Sequence, residues 1–151
     1  MTSSDRSSAS DGEGLIDALV QAAFATMAVL NKVAADGDLS LTQLRVLAIL
    51  RDRRLGTTAL ADYLGLEKST MSGLVERAEK RGLLQRAQDA SDGRAVEISL
   101  SSRGKKLTER LYVQVEGSLN PMTSALSPPE RQRLRVLLER MLGGSDRREG
   151  G

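Results

Sequence analysis

Between Lys68 and Arg77 the chain sets two cations around small hydroxyl residues, Ser69, Thr70 and Ser72, with Gly73 beside them. Such side chains hydrogen-bond, and Lys and Arg attract anions. At the start of a helix they sit at its partial positive charge, which favours phosphate. A short hydroxyl there can also reach a base edge in the major groove. A second group, Asp92-Gly93-Arg94, combines turn chemistry with an arginine. An arginine on a protruding turn is drawn to the negative potential of a minor groove. Asp92 can pair with an Arg or brace that turn. Ser and Thr also cap helices, and arginines decorate charged loops, so neither group decides the matter alone.

Competing chemistry is poorly supplied. Lys68-Ser69-Thr70 has the look of a phosphate-binding loop, but the glycine needed before the lysine is Glu67, and no strand precedes it. No dinucleotide motif, metal-ligand cluster or nucleophile elbow is present. Asp36 and Asp38 read as turn residues, with no further ligands at calcium-loop spacing. The chain has no His and no Cys, which removes imidazole and thiolate ligands, His-based triads, disulfides and thiol switches. The expectation is a protein that is not an enzyme and carries no cofactor and no metal.

The 151 residues suit one domain, and 40% apolar with 28% charged residues is an ordinary globular balance. The net charge of +2 is unevenly spread. Residues 1–42 hold two basic and six acidic residues, residues 43–106 thirteen and eight, and the remainder seven and six. The middle of the chain is therefore the basic part, which fits a polyanion-binding module and equally an Arg-rich protein with solvated helix faces, so charge alone does not decide. No apolar run is expected to approach the roughly 20 residues that span a bilayer, and the Ser-rich start shows no signal peptide. The expected location is cytoplasmic.

The elements that must position these residues are mostly helical. Leu15, Ile16, Leu19, Ala23, Met27, Leu30 and Ala34 recur at helical spacing, which predicts a first helix over about 15–35, stopped by Asp36-Gly37-Asp38. Ser40 and Gln43 form a capping box for a second helix carrying Leu44, Leu47, Ala48 and Arg51. Thr57 and Thr58 can cap a short third helix that breaks at Gly65. A fourth runs from about Glu67 to Arg81, with Gly82 as its left-handed stop and Leu83 as the accompanying apolar contact. In this fourth helix Met71, Leu74, Val75 and Ala78 must face the core, which turns Lys68, Ser69, Ser72, Gly73 and Glu76 outward. Val96, Ile98 and Leu100 alternate with Glu97 and Ser99, the signal of a half-buried strand paired with Gln85–Gln88 in a hairpin. Ser101 can cap a fifth helix with the stripe Leu107, Leu111, Val115, Leu119 and Met122. Ser127-Pro128-Pro129-Glu130 opens a sixth with Leu134, Leu137, Leu138, Met141 and Leu142. Two helices joined at a glycine and followed at once by a hairpin describe a winged helix-turn-helix.

Here the chain resembles the MarR family of bacterial transcription regulators. The resemblance is carried by residues 39–47 (LSLTQLRVL), 60–71 (LADYLGLEKSTM), 74–84 (LVERAEKRGLL), the wing sequence Asp92-Gly-Arg-Ala95 and residues 98–104 (ISLSSRG). It implies a mainly α fold, a winged helix-turn-helix with one β-hairpin wing plus terminal dimerisation helices. Residues 15–142 form the single domain, of which 39–101 are the DNA-binding part and 15–38 with 102–142 the dimerisation helices. Residues 1–14 and 143–151 are expected as disordered tails. The resemblance implies a homodimer on a pseudo-palindromic operator in double-stranded DNA, acting as a repressor. DNA contacts are assigned to Lys68, Ser69, Thr70, Ser72, Gly73, Arg77, Asp92 and Arg94. Glu67 stands where family members often carry Ser, and Gly73 where they carry a larger polar or basic residue. The alternative from another class is a winged-helix protein-interaction module that does not bind DNA.

Members of the resembled family respond to thiol oxidants, metals or small organic anions. The absence of Cys excludes the first, and the absence of both Cys and His disfavours a transition metal. A small organic effector, aromatic or lipophilic, or no effector at all, is what remains, and the resemblance puts such a pocket between the first, second and fifth helices. Phe24, Met27 and Tyr112 are the lining candidates, although such residues are more often simple core side chains.

Arg94→Ala tests the wing assignment. Operator binding should weaken, and its salt dependence should flatten by about one unit per lost phosphate contact, or about two per dimer. Unchanged affinity with an unchanged salt slope would remove Arg94 from the interface.

Overall fold

The computed structural model describes residues 3–88 and 96–146, with side chains over 11–88 and 96–143. Its order is α1 (Ser3–Asp36), α2 (Leu41–Ile49), α3 (Thr57–Leu64), α4 (Lys68–Lys80), β1 (Leu84–Gln88), β2 (Val96–Leu100), α5 (Ser102–Thr123) and α6 (Pro128–Asp146). The chain divides into two compact units, residues 1–115 and 116–151.

Helix α1 begins at Ser3, not near Leu15, so most of the segment expected as a disordered tail is helical. Residues 3–14 contain no proline, and extending a helix already nucleated by residues 15–35 costs far less than starting one. The other expected tail is likewise partly helical, since α6 runs through Gly143 to Asp146. A second expectation also fails. Asp11–Asp36 is, by length and composition alone, apolar enough to cross a membrane, with a mean hydropathy of 1.5. Alanines between the larger residues keep the segment apolar, and between Leu15 and Ala35 only Asp17 and Lys32 are charged.

Helix α1 meets the core toward its end, where Val33 and Ala34 are buried and the partly buried Val29 packs against the core. It stops in a Schellman arrangement, Leu39 N–H donating to Ala34 O at 2.8 Å and Asp38 N–H to Ala35 O at 3.0 Å. The left-handed residue is Asp38 (φ 56°), not the neighbouring glycine. Gly37 serves another need, because a Cβ there would lie 3.2 Å from Leu111 Cδ2. The expected capping box then opens α2: Gln43 N–H donates to Ser40 Oγ at 3.1 Å, and Ser40 N–H to Gln43 Oε1 at 2.9 Å.

Helix α3 is capped by Gly56, without a side-chain bond, and Thr57 is already its first helical residue. Just before it Leu55 exchanges two backbone bonds with Ile98, at 3.1 and 2.7 Å. Strand β2 therefore lies between this one-residue bridge and β1, with which it pairs antiparallel from Leu84↔Leu100 to Gln88↔Val96. The alternation expected for β2 holds at Ile98 and Leu100 only. Val96 is exposed at the far end of the ribbon, while Ser99 is buried and accepts from Gln85 Nε2 at 3.4 Å.

The core gathers Val46 and Leu47 of α2 with the cap residue Leu50, Leu60 and Ala61 of α3, Met71, Val75 and Ala78 of α4, and Leu83, Leu84, Ile98, Leu100 and Leu111. Burying each larger side chain stabilises the fold by about 1.5–3 kcal/mol. At its edge Ser101 caps α5. Its Oγ accepts from Gly104 N–H at 2.9 Å and donates to Gly82 O, while its N–H donates to Leu83 O at 3.0 Å.

The second unit holds the end of α5, a turn and α6. The second capping box is present: Ser127 N–H donates to Glu130 Oε1 at 2.9 Å, and Glu130 N–H to Ser127 Oγ at 3.4 Å. Hydrogen bonding of the Glu130 carboxylate by the Ser127 backbone N–H, and then by the Ser127 hydroxyl, lowers the pKa of that carboxyl. Leu134, Leu137, Leu138 and Met141 are all exposed on α6.

Gly104 is the least replaceable glycine of the fold. A Cβ there would lie 2.0 Å from the backbone oxygen of Leu83, which is itself held by Ser101. Overpacking against fixed backbone costs about 1–3 kcal/mol or more. Gly104→Ala should lower the unfolding free energy measured in urea by an amount in that range, and an unchanged midpoint and slope would show that the contact is not tight.

Candidate nucleic-acid interface

Helix α4 is fixed from behind by Met71, Val75 and Ala78, all buried, with Leu74 packed against the same core. At 3.6 residues per turn this turns the intervening positions outward. Lys68, Ser69, Thr70, Ser72 and Arg77 are exposed, as the periodicity requires, and Gly73 is half-buried. Glu67 is the N-cap residue, and its side chain makes no capping bond. The first-turn N–H groups at Lys68, Ser69 and Thr70 therefore have no side-chain cap, and they face solvent beside two hydroxyls and an ammonium. This arrangement can donate hydrogen bonds to phosphate and to base edges.

Gly73 and Arg77 are one turn apart and act together. Arg77 Nη1 lies 3.4 Å from where a Gly73 Cβ would stand. The glycine thus leaves a shallow seat for the guanidinium on the outer face of the helix, a role that spacing alone did not reveal. Behind it Lys80 pairs with Glu76 at 3.5 Å, an exposed i,i+4 pair of small energetic weight.

The end of α4 is tied to the hairpin. Gly82 (φ 74°) is the predicted left-handed residue, with Leu83 N–H donating to Ala78 O at 3.0 Å and Gly82 N–H to Glu79 O at 2.8 Å. Arg86 Nε on β1 reaches Glu79 Oε1 at 2.6 Å. The wing strands therefore start from a fixed angle to the helix. Asp92 and Arg94 fall within 89–95, outside the described residues.

Cations also gather around the link from α2 to α3. Arg53 donates to Tyr63 Oη at 2.6 Å and to Asp52 Oδ1 at 3.3 Å, and Arg45 to Tyr63 O at 3.4 Å. The bond to Asp52 does most to raise the Arg53 pKa, with Tyr63 adding to it. These residues brace the first helix of the helix-turn-helix, and the sequence reading had not singled them out.

A cavity of about 190 Å³ lies between α1, α2 and α5. Leu30, Leu44, Ala48, Leu111 and Val115 make its walls apolar, and Thr108, Arg51 and Tyr112 complete it. The Arg51 guanidinium stacks on the Tyr112 ring, 3.8 Å from its centroid. Tyr112 is thus where it was expected. Phe24 and Met27 are not among the lining residues and stand exposed on α1. They lie about two turns and one turn before Leu30 along the helix, beyond the end of the chamber. Arg51, noted in the sequence only as part of the α2 stripe, supplies the cavity's cation.

Comparison with known proteins gives a consistent set of likenesses. Residues 37–95 match the model of the MarR family. The chain is 32% identical over 96 residues to the uncharacterised HTH-type transcriptional regulator YfiV of Bacillus subtilis strain 168, covering 63% of this chain and 60% of that protein's length. It is 27% identical over 139 residues to the homoprotocatechuate degradative operon repressor of Escherichia coli, covering 91% of this chain and 94% of that repressor. The crystal structure of NadR in complex with 4-hydroxyphenylacetate matches with a TM-score of 0.71 and 25% identity, covering 82% of this chain and 89% of that one.

Proposed function

The chain belongs to the MarR family of DNA-binding transcription regulators, and we propose that it is a repressor that grips a pseudo-palindromic operator as a homodimer and is released by a small organic anion. One observation carries the DNA reading. The exposed N-terminal face of α4 presents Lys68, Ser69, Thr70 and Ser72, while Met71, Val75 and Ala78 lock the opposite face into the core. In this reading Ser69, Thr70 and Ser72 read base edges, Lys68 and Arg77 hold phosphates, and Gly73 seats Arg77. Arg94, with Asp92 bracing its turn, enters the minor groove.

Uncovered apolar surface supports the dimer. On α1, Leu15, Ile16 and Phe24 are 65%, 58% and 65% exposed, and on α6 the leucine stripe is exposed as well. A second copy related by two-fold symmetry covers such stripes with equivalent ones and sets two recognition helices about 34 Å apart, one turn of DNA. Burial of Val33 and Ala34 in the folded core commits the end of α1 to this fold, which favours a protein partner over a bilayer for the rest of that helix. Action on chromosomal DNA places the protein in the cytoplasm.

The chamber between α1, α2 and α5 supports this effector class. Its volume of about 190 Å³ is comparable with the roughly 150 Å³ that accommodates benzene. Apolar walls with a single arginine suit an aromatic or lipophilic carboxylate, and the likeness to a protein solved with 4-hydroxyphenylacetate agrees. A ligand there acts by favouring a dimer whose recognition helices no longer match successive major grooves.

Fluorescence polarisation with the DNA upstream of the chain's own gene tests both parts. Tight, saturable binding is expected. Ser69→Ala or Thr70→Ala should cost about 1–3 kcal/mol on that site and little on random DNA. Aromatic carboxylates should release the DNA, and Arg51→Ala should blunt the release while peroxide and zinc remain without effect. Equal losses on specific and random DNA would reduce the hydroxyls to phosphate contacts. Release by zinc or peroxide alone would overturn the effector assignment. Failure to bind the upstream site at all would favour a protein-interaction module.

A further inference from the structure

A polar cavity of about 390 Å³ opens where the α1–α2 turn, the end of α4 and the first turns of α5 come together. Four cations line it, Arg81, Arg103, Lys106 and Arg110, together with Asp36 and Asp38. We propose that this cavity binds a small phosphate-type dianion, at a site separate from the recognition face and from the apolar chamber.

Charge is the first argument. Four cations against two carboxylates leave two positive charges in excess, which a dianion matches. Three of the cations stand on one face of α5, Lys106 three residues after Arg103 and Arg110 four after Lys106. Like charges at these spacings destabilise a helix. Although two aspartates line the same cavity, Arg103, Lys106 and Arg110 make no ion pair or hydrogen bond among the described residues. An anion between them removes the repulsion.

Geometry is the second. Arg81 is held in place before any ligand arrives, donating from Nη1 to Asp38 O at 2.7 Å and from Nη2 to Gly37 O at 3.3 Å. A guanidinium has five N–H donors, so three remain. The Arg103 side chain lies over Gly82, its Cδ and Nη1 3.8 and 3.9 Å from where a Cβ would be. Two planar guanidinium forks thus stand at the same corner, the donor geometry that suits phosphate.

A phosphate could reach this site on a soluble compound or on a DNA strand. Two features favour the soluble source. Asp36 and Asp38 repel an extended polyanion laid across the opening, yet leave room for a compact one. Arg81 also follows Ser69 by twelve residues along α4, about 18 Å at the helical rise, so it stands at the end of the helix remote from the base-reading hydroxyls.

The test is calorimetric titration of the full chain with inorganic phosphate at slightly alkaline pH, with ionic strength held constant by sodium chloride. Saturable binding of one phosphate per chain is expected. The double variant Arg103→Gln, Lys106→Gln should weaken it at least tenfold, whereas Lys105→Gln, outside the lining, should leave it unchanged. The replaced side chains are exposed, and circular dichroism confirms that the variants fold. No saturable binding above chloride, or equal effects of the double variant and Lys105→Gln, would overturn the site. In a parallel DNA titration the double variant should keep its salt slope. A flattened slope without phosphate binding would assign these cations to the DNA backbone and overturn the soluble-anion reading. Should the chain bind no DNA, the phosphate titration still decides the question alone.

Discussion

The contact of Gly104 with the Leu83 carbonyl is the constraint on which the rest of the first unit depends. Leu83 O also accepts from Ser101 N–H, and Ser101 Oγ joins Gly82 O to the first turn of α5. One small cluster therefore fixes the end of the recognition helix, the return of β2 and the start of α5 relative to one another. No residue with a side chain fits at position 104. The Schellman stop at Gly82 sets the chain direction after α4, and the Glu79–Arg86 pair holds β1 to the same corner. A change in how α5 sits is thereby transmitted to the recognition helix through backbone contacts, which yield less than side chains do. In the proposed function this is the route by which a ligand beside α5 would act on the exposed face of α4.

The binding surface is built by contrast. Buried Met71 and Val75 leave α4 no freedom to rotate, and the outward face carries only short or flexible polar groups. In the proposed function these short hydroxyls lose little conformational entropy on meeting base edges, and Lys68 and Arg77 are the groups assigned to phosphates. Glu67 adds one negative charge at the cap, which tempers affinity for phosphate without blocking the N–H groups behind it. Gly73, assigned in the sequence as a DNA contact, stands with Arg77 Nη1 3.4 Å from where its Cβ would be.

Much of this was legible in the sequence because local rules fixed it. Ser40–Gln43, Ser127–Glu130 and Gly82 are capping signals whose partners lie within four residues, and each forms as predicted. The core face of α4 followed from spacing alone. What escaped depends on contacts between residues distant in the chain. Arg81 bonds to the α1–α2 turn 43 residues away, Leu55 bridges to Ile98, Arg51 stacks on Tyr112, and Gly104 meets Leu83 across the hairpin. Periodicity also mistook the reach of α1, because alanine and polar residues continue a helix without marking a face. Ser99 was assigned to solvent by alternation, yet it is buried where β2 meets the core.

Hydroxyl-radical footprinting of the upstream DNA tests the central claim most directly, that two copies of α4 read one duplex in a two-fold arrangement. The account predicts two symmetric protected half-sites, centred about one helical turn, 10–10.5 base pairs, apart. A single asymmetric footprint, or uniform protection without half-sites, would contradict it.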